Sequence, residues 1–76
     1  MKDIVEYIAK AIVSYPDEVV VTEEEEGDGL IILRLDVAPS DKGKVIGRQG
    51  RVAQSMRALL RVAAVKDGTR VILKID

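Results

Sequence analysis

Cysteine, histidine, tryptophan and phenylalanine are all absent from this 76-residue chain. Without a thiol or an imidazole there is no thiolate nucleophile, no side chain that ordinarily titrates near neutrality, no disulfide and no usual zinc ligand set. Carboxylates remain as possible acid/base groups, but catalysis also needs a pocket that excludes water, which one thin layer of structure rarely supplies. The chain therefore reads as a non-enzyme with no cofactor, no metal and no small-molecule substrate. Apolar runs stop after a handful of residues, far short of the roughly 20 that a membrane span requires, and the basic and long apolar segments of a signal peptide are missing. The expectation is one soluble, cytoplasmic domain over residues 1–76, without a membrane partner.

What is present is charge, and it is segregated. Residues 1–41 hold eleven acidic and three basic side chains, whereas the stretch from Lys42 to Lys66 holds seven basic ones (Lys42, Lys44, Arg48, Arg51, Arg57, Arg61, Lys66) and no acidic one. The net charge of −1 therefore conceals a positive segment joined to a negative one. Such separation creates a local potential that attracts phosphates despite the acidic total.

Periodicity divides the chain into six elements. Ile4, Val5, Ile8, Ala11 and Ile12 recur at helical spacing, Asp3 and Glu6 are placed as a reciprocal cap, and the helix should end near Ser14, ahead of Pro16. Val19–Thr22 begins a strand that runs into Glu23, Glu24, Glu25 and Glu26, and Gly27-Asp28-Gly29 reverses the chain. Four consecutive glutamates alternate between two faces, so they read as a solvated hairpin edge and not as a calcium or magnesium site. A second strand, Leu30–Val37, puts Ile31, Leu33, Leu35 and Val37 on one face. Ser40 can cap a short helix ending at Gly47. A longer helix follows Gly50 to about Val65, with Val52, Met56, Leu59, Leu60 and Ala63 on its core side, and after Asp67-Gly68 a third strand carries Val71, Leu73 and Ile75 inward. A hairpin plus one distant strand needs helices over one face of its sheet, which predicts an α+β fold of two layers in the order α-β-β-α-α-β.

Between the two later helices lies Gly47-Arg48-Gln49-Gly50. Glycine lets main chain adopt left-handed conformations and lets a sugar-phosphate backbone approach closely. The next helix opens with unpaired N–H groups and a partial positive charge, to which Arg48 and Arg51 add full charges. A plain helix-to-helix turn would need the glycines but neither an arginine at its tip nor the basic run around it. Arg57 and Arg61 read first as a solvated helix face, while Lys42 and Lys44 are placed to meet flanking phosphates.

Val45-Ile46-Gly47-Arg48-Gln49-Gly50-Arg51 resembles the Val-Ile-Gly-x-x-Gly signature of KH domains, and the element order across the whole chain resembles their type II arrangement. A chain of this length with Lys-Gly-Lys-Val-Ile-Gly-Arg-Gln-Gly-Arg is similar to the small bacterial KhpA family of RNA-binding proteins. The resemblance implies a partner, single-stranded RNA, whose backbone Gly47, Arg48, Gln49 and Gly50 would clamp while Ile46 helps line a groove for bases. It further implies RNA chaperoning, a part in cell elongation and envelope synthesis, and association as a homodimer or with a larger KH-containing protein. Ala58, Val62 and Val65 form a second apolar strip on the long helix, either an interface for such a partner or a deeper burial within the domain. Tyr7 and Tyr15, the only aromatics, lie in or beside the first helix. Base stacking on aromatic rings, elsewhere worth about 1–3 kcal/mol per base, should therefore contribute little. The alternative reading is a protein-interaction adaptor on a KH scaffold with weak or no RNA contact.

Overall fold

Helix α1 spans Lys2–Ile12 in the computed structural model, which describes residues 1–75. Its apolar spacing buries Val5 and Ala9 and half-buries Ile4 and Ile8, whereas Ala11 and Ile12 stay exposed at its end. The expected cap does not form. Met1 occupies the N-cap without a side-chain bond, Asp3 lies in the first turn, and Glu6 pairs with Lys10 at 3.0 Å. A glutamate one turn before a lysine is the favoured order for such a pair, and the hydrogen bond and charge of Lys10 hold the Glu6 carboxyl below its ordinary range.

After a single tight turn at Pro16–Glu18, β1 (Val20–Glu26) and β2 (Leu30–Asp36) pair antiparallel, with Val21 opposite Leu35 and Glu23 opposite Leu33. Strand β3 (Arg70–Ile75) lies on the other side of β2 and parallel to it, with Leu73 opposite Leu33. Parallel neighbours need a crossover of a dozen or more residues. That crossover is α2 (Lys42–Ile46), the loop after it, and α3 (Arg51–Asp67). The order β1-β2-β3 leaves β3 as a free edge.

Strand alternation sorts the two faces of the sheet. Val21, Leu33, Leu35 and Leu73 face the helices and join Val5, Ala9, Val45, Met56 and Leu60 in one core cluster. Full burial of each large side chain contributes about 1.5–3 kcal/mol. Ile32, Ile72 and Lys74 lie on the opposite face, where Arg34 and Glu24 form an ion pair at 3.2 Å.

The inward face of α3 differs from the expected one. Ala53, Met56, Leu60 and Ala64 are buried, while Leu59 is 52% exposed. The buried set, two alanines among it, keeps the helical i, i+3, i+4 spacing of one inward stripe. Leu59 joins Ala58, Val62 and Val65 on the exposed side. Helix α3 also runs two residues past Val65, to a left-handed Gly68; there Thr69 N–H bonds to Ala64 O at 2.9 Å and Gly68 N–H to Val65 O at 3.2 Å, the Schellman pattern. Among the described residues no helix is long and apolar enough to cross a membrane.

Candidate nucleic-acid interface

Gly47 stops α2 because its backbone leaves the helical region, at φ 78° and ψ 172°. That conformation is essentially restricted to glycine. The space around it imposes the same restriction. A Cβ placed on Gly47 would sit 2.5 Å from Val52 Cγ2 and 2.8 Å from Val52 N. Gly47 N–H bonds back to Gly43 O at 2.8 Å and Gly50 N–H to Gly47 O at 3.1 Å, closing a tight turn. Within it Gln49 adopts φ 57° and Gly50 φ 74°, so three of four loop residues have positive φ.

This turn holds Arg48 and Gln49 out in solvent, with exposed Arg51 opening α3 behind them. Among the described residues no side chain caps the N-terminus of α3. Ile46, 42% exposed, sits at the base of the turn.

The two lysines before the loop differ. Lys42 is half-buried at the start of α2. Lys44 turns back toward the α1–β1 connection, where its Nζ donates to Ser14 Oγ and lies 3.5 Å from Asp41 Oδ1. Asp41 is the buried charged residue of the core, and it accepts the backbone N–H of Ser14 and of Tyr15, each at 3.0 Å. Ser40, expected to cap α2, makes no such bond; Asp41 is the N-cap, and its carboxylate bonds the Ser14 and Tyr15 N–H groups and none of the N–H groups of its own helix. Burial acts to raise the Asp41 carboxyl, but the two N–H donors and Lys44 outweigh it and hold the group below its ordinary range.

A carboxylate depressed in the folded state stabilises the fold above its unfolded pKa, and the contribution is lost as pH falls through the folded value. Asp41→Asn is therefore expected to melt several degrees lower than the native chain at pH 7. The difference should narrow below about pH 4, where carboxylates protonate. Thermal unfolding followed by circular dichroism at both pH values checks this; a gap that is the same at each pH would remove the charge from the account.

Beyond the loop, α3 and β3 enclose a trough. The chain reverses at Gly68, so β3 returns along α3 toward the Gly47–Gly50 turn. Arg57, Leu60, Arg61, Val71, Ile72 and Leu73 line the part nearer the loop, and Arg61, Ala64, Val65, Thr69, Arg70 and Val71 line the continuation. Arg57 is half-buried, and its Nη2 donates to the Leu73 carbonyl at 3.2 Å. The pairing of Arg57 with Leu73 was not legible from helical spacing, because the partner is a main-chain atom 16 residues away. Val65 of the second apolar strip lies on the rim of this trough, whereas Val62, 58% exposed, does not line it. Tyr7 and Tyr15 do not line it either.

Comparison with known proteins bears on the same region. The family model described as the KhpA/KhpB KH domain matches residues 2–75. The chain belongs to this KhpA/KhpB family. Among its relatives, the RNA-binding protein KhpA of Clostridium acetobutylicum is 52% identical over 75 residues, covering 99% of each chain. The RNA-binding protein KhpA of Aquifex aeolicus is 47% identical over 75 residues, covering 99% of this chain and 94% of that one. A solved structure of Era in complex with MgGDPNP and nucleotides 1506-1542 of 16S ribosomal RNA aligns with a TM-score of 0.56 at 18% identity, covering 97% of this chain and 28% of the Era chain. At that identity the likeness to Era shows the fold, α+β with a three-stranded mixed sheet as in the KhpA/KhpB chain described above.

Proposed function

We propose that this chain binds single-stranded RNA, with the sugar-phosphate backbone against the Gly47–Gly50 turn and the bases directed toward the α3–β3 trough. The observation that carries this reading is the turn itself: main chain without side chains at two positions, Arg48 and Gln49 in solvent, and Arg51 beside the uncapped start of α3. Backbone N–H groups and arginines of this kind attract phosphate oxygens. Relatives named RNA-binding protein KhpA support the same partner. Ile46 would border the base site, and Lys42 would meet a flanking phosphate. Lys44 would reach RNA only by giving up Ser14 and Asp41. With aliphatic walls and no aromatic ring in the trough, affinity should be modest and salt-sensitive. A logarithmic salt slope of about −2 to −3 corresponds to three or four neutralised phosphates of a single strand.

Fluorescence anisotropy with a short unstructured RNA, comparing the native chain with Arg48→Asp/Gln49→Asp, tests the reading. Equal affinity for the two proteins would take the loop out of the mechanism.

The exposed apolar strip of α3, Ala58, Val62 and Val65 together with Leu59, supports a second proposal, association with another copy or with a larger KH-containing partner. Two joined modules would raise apparent RNA affinity through effective concentration. Val62→Glu is expected to shift a self-associated form to monomer mass in light scattering while leaving the circular dichroism unchanged. A folded variant of unaltered mass would place the contact elsewhere. The family resemblance also supports proposing RNA chaperoning and a part in cell elongation and envelope synthesis, which a deletion strain tests by its shape and its transcript levels.

A further inference from the structure

Helix α2 has five residues, little more than one turn, and carries the Gly47–Gly50 turn at its end. A helix so short does not hold its own shape in water, where about 12–15 residues are needed for even marginal stability. Its direction, and with it the direction of the loop, is therefore set by whatever grips it from outside. Val45 is one grip, fully buried in the core. The other lies toward its N-terminal end. There Asp41, 1% exposed, accepts the N–H groups of Ser14 and Tyr15, and Lys44 donates to Ser14 Oγ while lying 3.5 Å from Asp41 Oδ1. Two side chains thus strap α2 to the α1–β1 connection.

The same geometry decides what Lys44 can touch. Side chains on a helix lean toward its N-terminus. Lys44 leans onto Asp41, three residues before it, whereas the loop begins three residues after it. To meet a phosphate at the loop it would have to swing against that lean, and its departure would strip a buried carboxylate of its cation. Arg48 and Arg51 have no such tie: both are exposed, and among the described residues neither forms an ion pair.

From this strap we infer that Lys44 is a positioning residue: with Ser14 and Asp41 it fixes the direction in which α2 presents the Gly47–Gly50 turn, and it stays off the phosphates. This assignment rests on the RNA-binding reading and separates, within that site, the basic residues that touch RNA from the one that holds the loop. It also brings into the site Ser14, a neutral residue 30 positions before Lys44.

Anisotropy with a short unstructured RNA over a series of salt concentrations separates holding from touching, each variant being measured where circular dichroism shows it folded. Ser14→Ala removes the hydroxyl partner of Lys44 and no charge, and at an exposed position it should leave the fold intact. Lys44→Met removes both tie and charge, whereas Lys44→Gln removes the charge and keeps a donor for Ser14 Oγ. Ser14→Ala and Lys44→Met are each expected to weaken binding about three- to tenfold, the size of one lost hydrogen bond. The double variant should bind no more weakly than Lys44→Met, because both changes cut the same tie, and Lys44→Gln should recover most of the loss. In all four the logarithmic salt slope should stay that of the native chain. A slope shallower by about 0.7 in both Lys44 variants, with Ser14→Ala binding as tightly as the native chain or more so, would make Lys44 a phosphate contact and overturn the inference while RNA binding stands. Native affinity in every variant would also overturn it, by showing that Val45 alone holds α2. Absence of binding by the native chain, with no effect of Arg48→Asp/Gln49→Asp, removes the RNA-binding reading itself.

Discussion

Arg48→Asp/Gln49→Asp is expected to bind short single-stranded RNA about 10- to 100-fold more weakly than the native chain at low salt. The range corresponds to one lost charge-assisted hydrogen bond, at about 1.5–3 kcal/mol for a bond to a charged group and about 1.4 kcal/mol for each factor of ten. The logarithmic salt slope should become shallower by about 0.7 for each phosphate no longer neutralised. Stability should barely change, within about 0.5 kcal/mol, because both side chains are exposed at the tip of the turn. The backbone supports this, since Gln49 already adopts φ 57° and aspartate tolerates that region better than most residues. A binding loss without a loss of salt dependence would mean that the loop acts through shape and not through phosphate contact.

Gly47→Ala should damage the fold itself. Its backbone conformation alone is expected to be destabilised by about 1–3 kcal/mol with any other residue, and the new Cβ would overlap Val52 at both side chain and backbone nitrogen. Val52 belongs to the helix that builds one wall of the trough, so it cannot retreat without shifting the start of α3. For a domain of this size each kcal/mol lowers Tm by about 4–8 °C. Gly50→Ala is the control. Nothing lies within 4 Å of a Cβ there, and only the left-handed φ of 74° is strained, at about 1–2 kcal/mol. Thermal or urea unfolding of the pair is expected to rank Gly47→Ala as clearly the worse. Equal losses would show that Val52 accommodates the methyl group and that φ alone matters.

Those contrasts between neighbouring glycines show how far the site was readable. The position of the loop, its glycines and its flanking cations follow from local chain chemistry. The sequence motif, however, does not reveal that Gly47 is held by packing as well as by φ while Gly50 is held by φ alone. Likewise Lys44 is legible as a cation near the loop, but its attachment to Ser14 and Asp41 joins residues about thirty positions apart. Leu59 shows the opposite limit. Its hydropathy placed it in the core, and it lies outside because the buried stripe of α3 runs through Ala53, Met56, Leu60 and Ala64, a helical spacing that turns Leu59 to solvent.

By itself the sequence determined what nearest-neighbour physics controls: six elements in order, the breaks at Gly47 and Gly68, the alternation along β2, and a basic segment set apart from an acidic one. Tertiary structure decided the parallel placement of β3, the buried stripe of α3, the reach of Asp41 to Ser14 and Tyr15, and the bond from Arg57 to the Leu73 carbonyl. Each of these depends on groups that meet only after the crossover closes, and turn propensity or helical period carries no information about partners so distant along the chain. The chemistry at the edge of β3 is therefore a property of the folded molecule, although every residue in it was visible from the start.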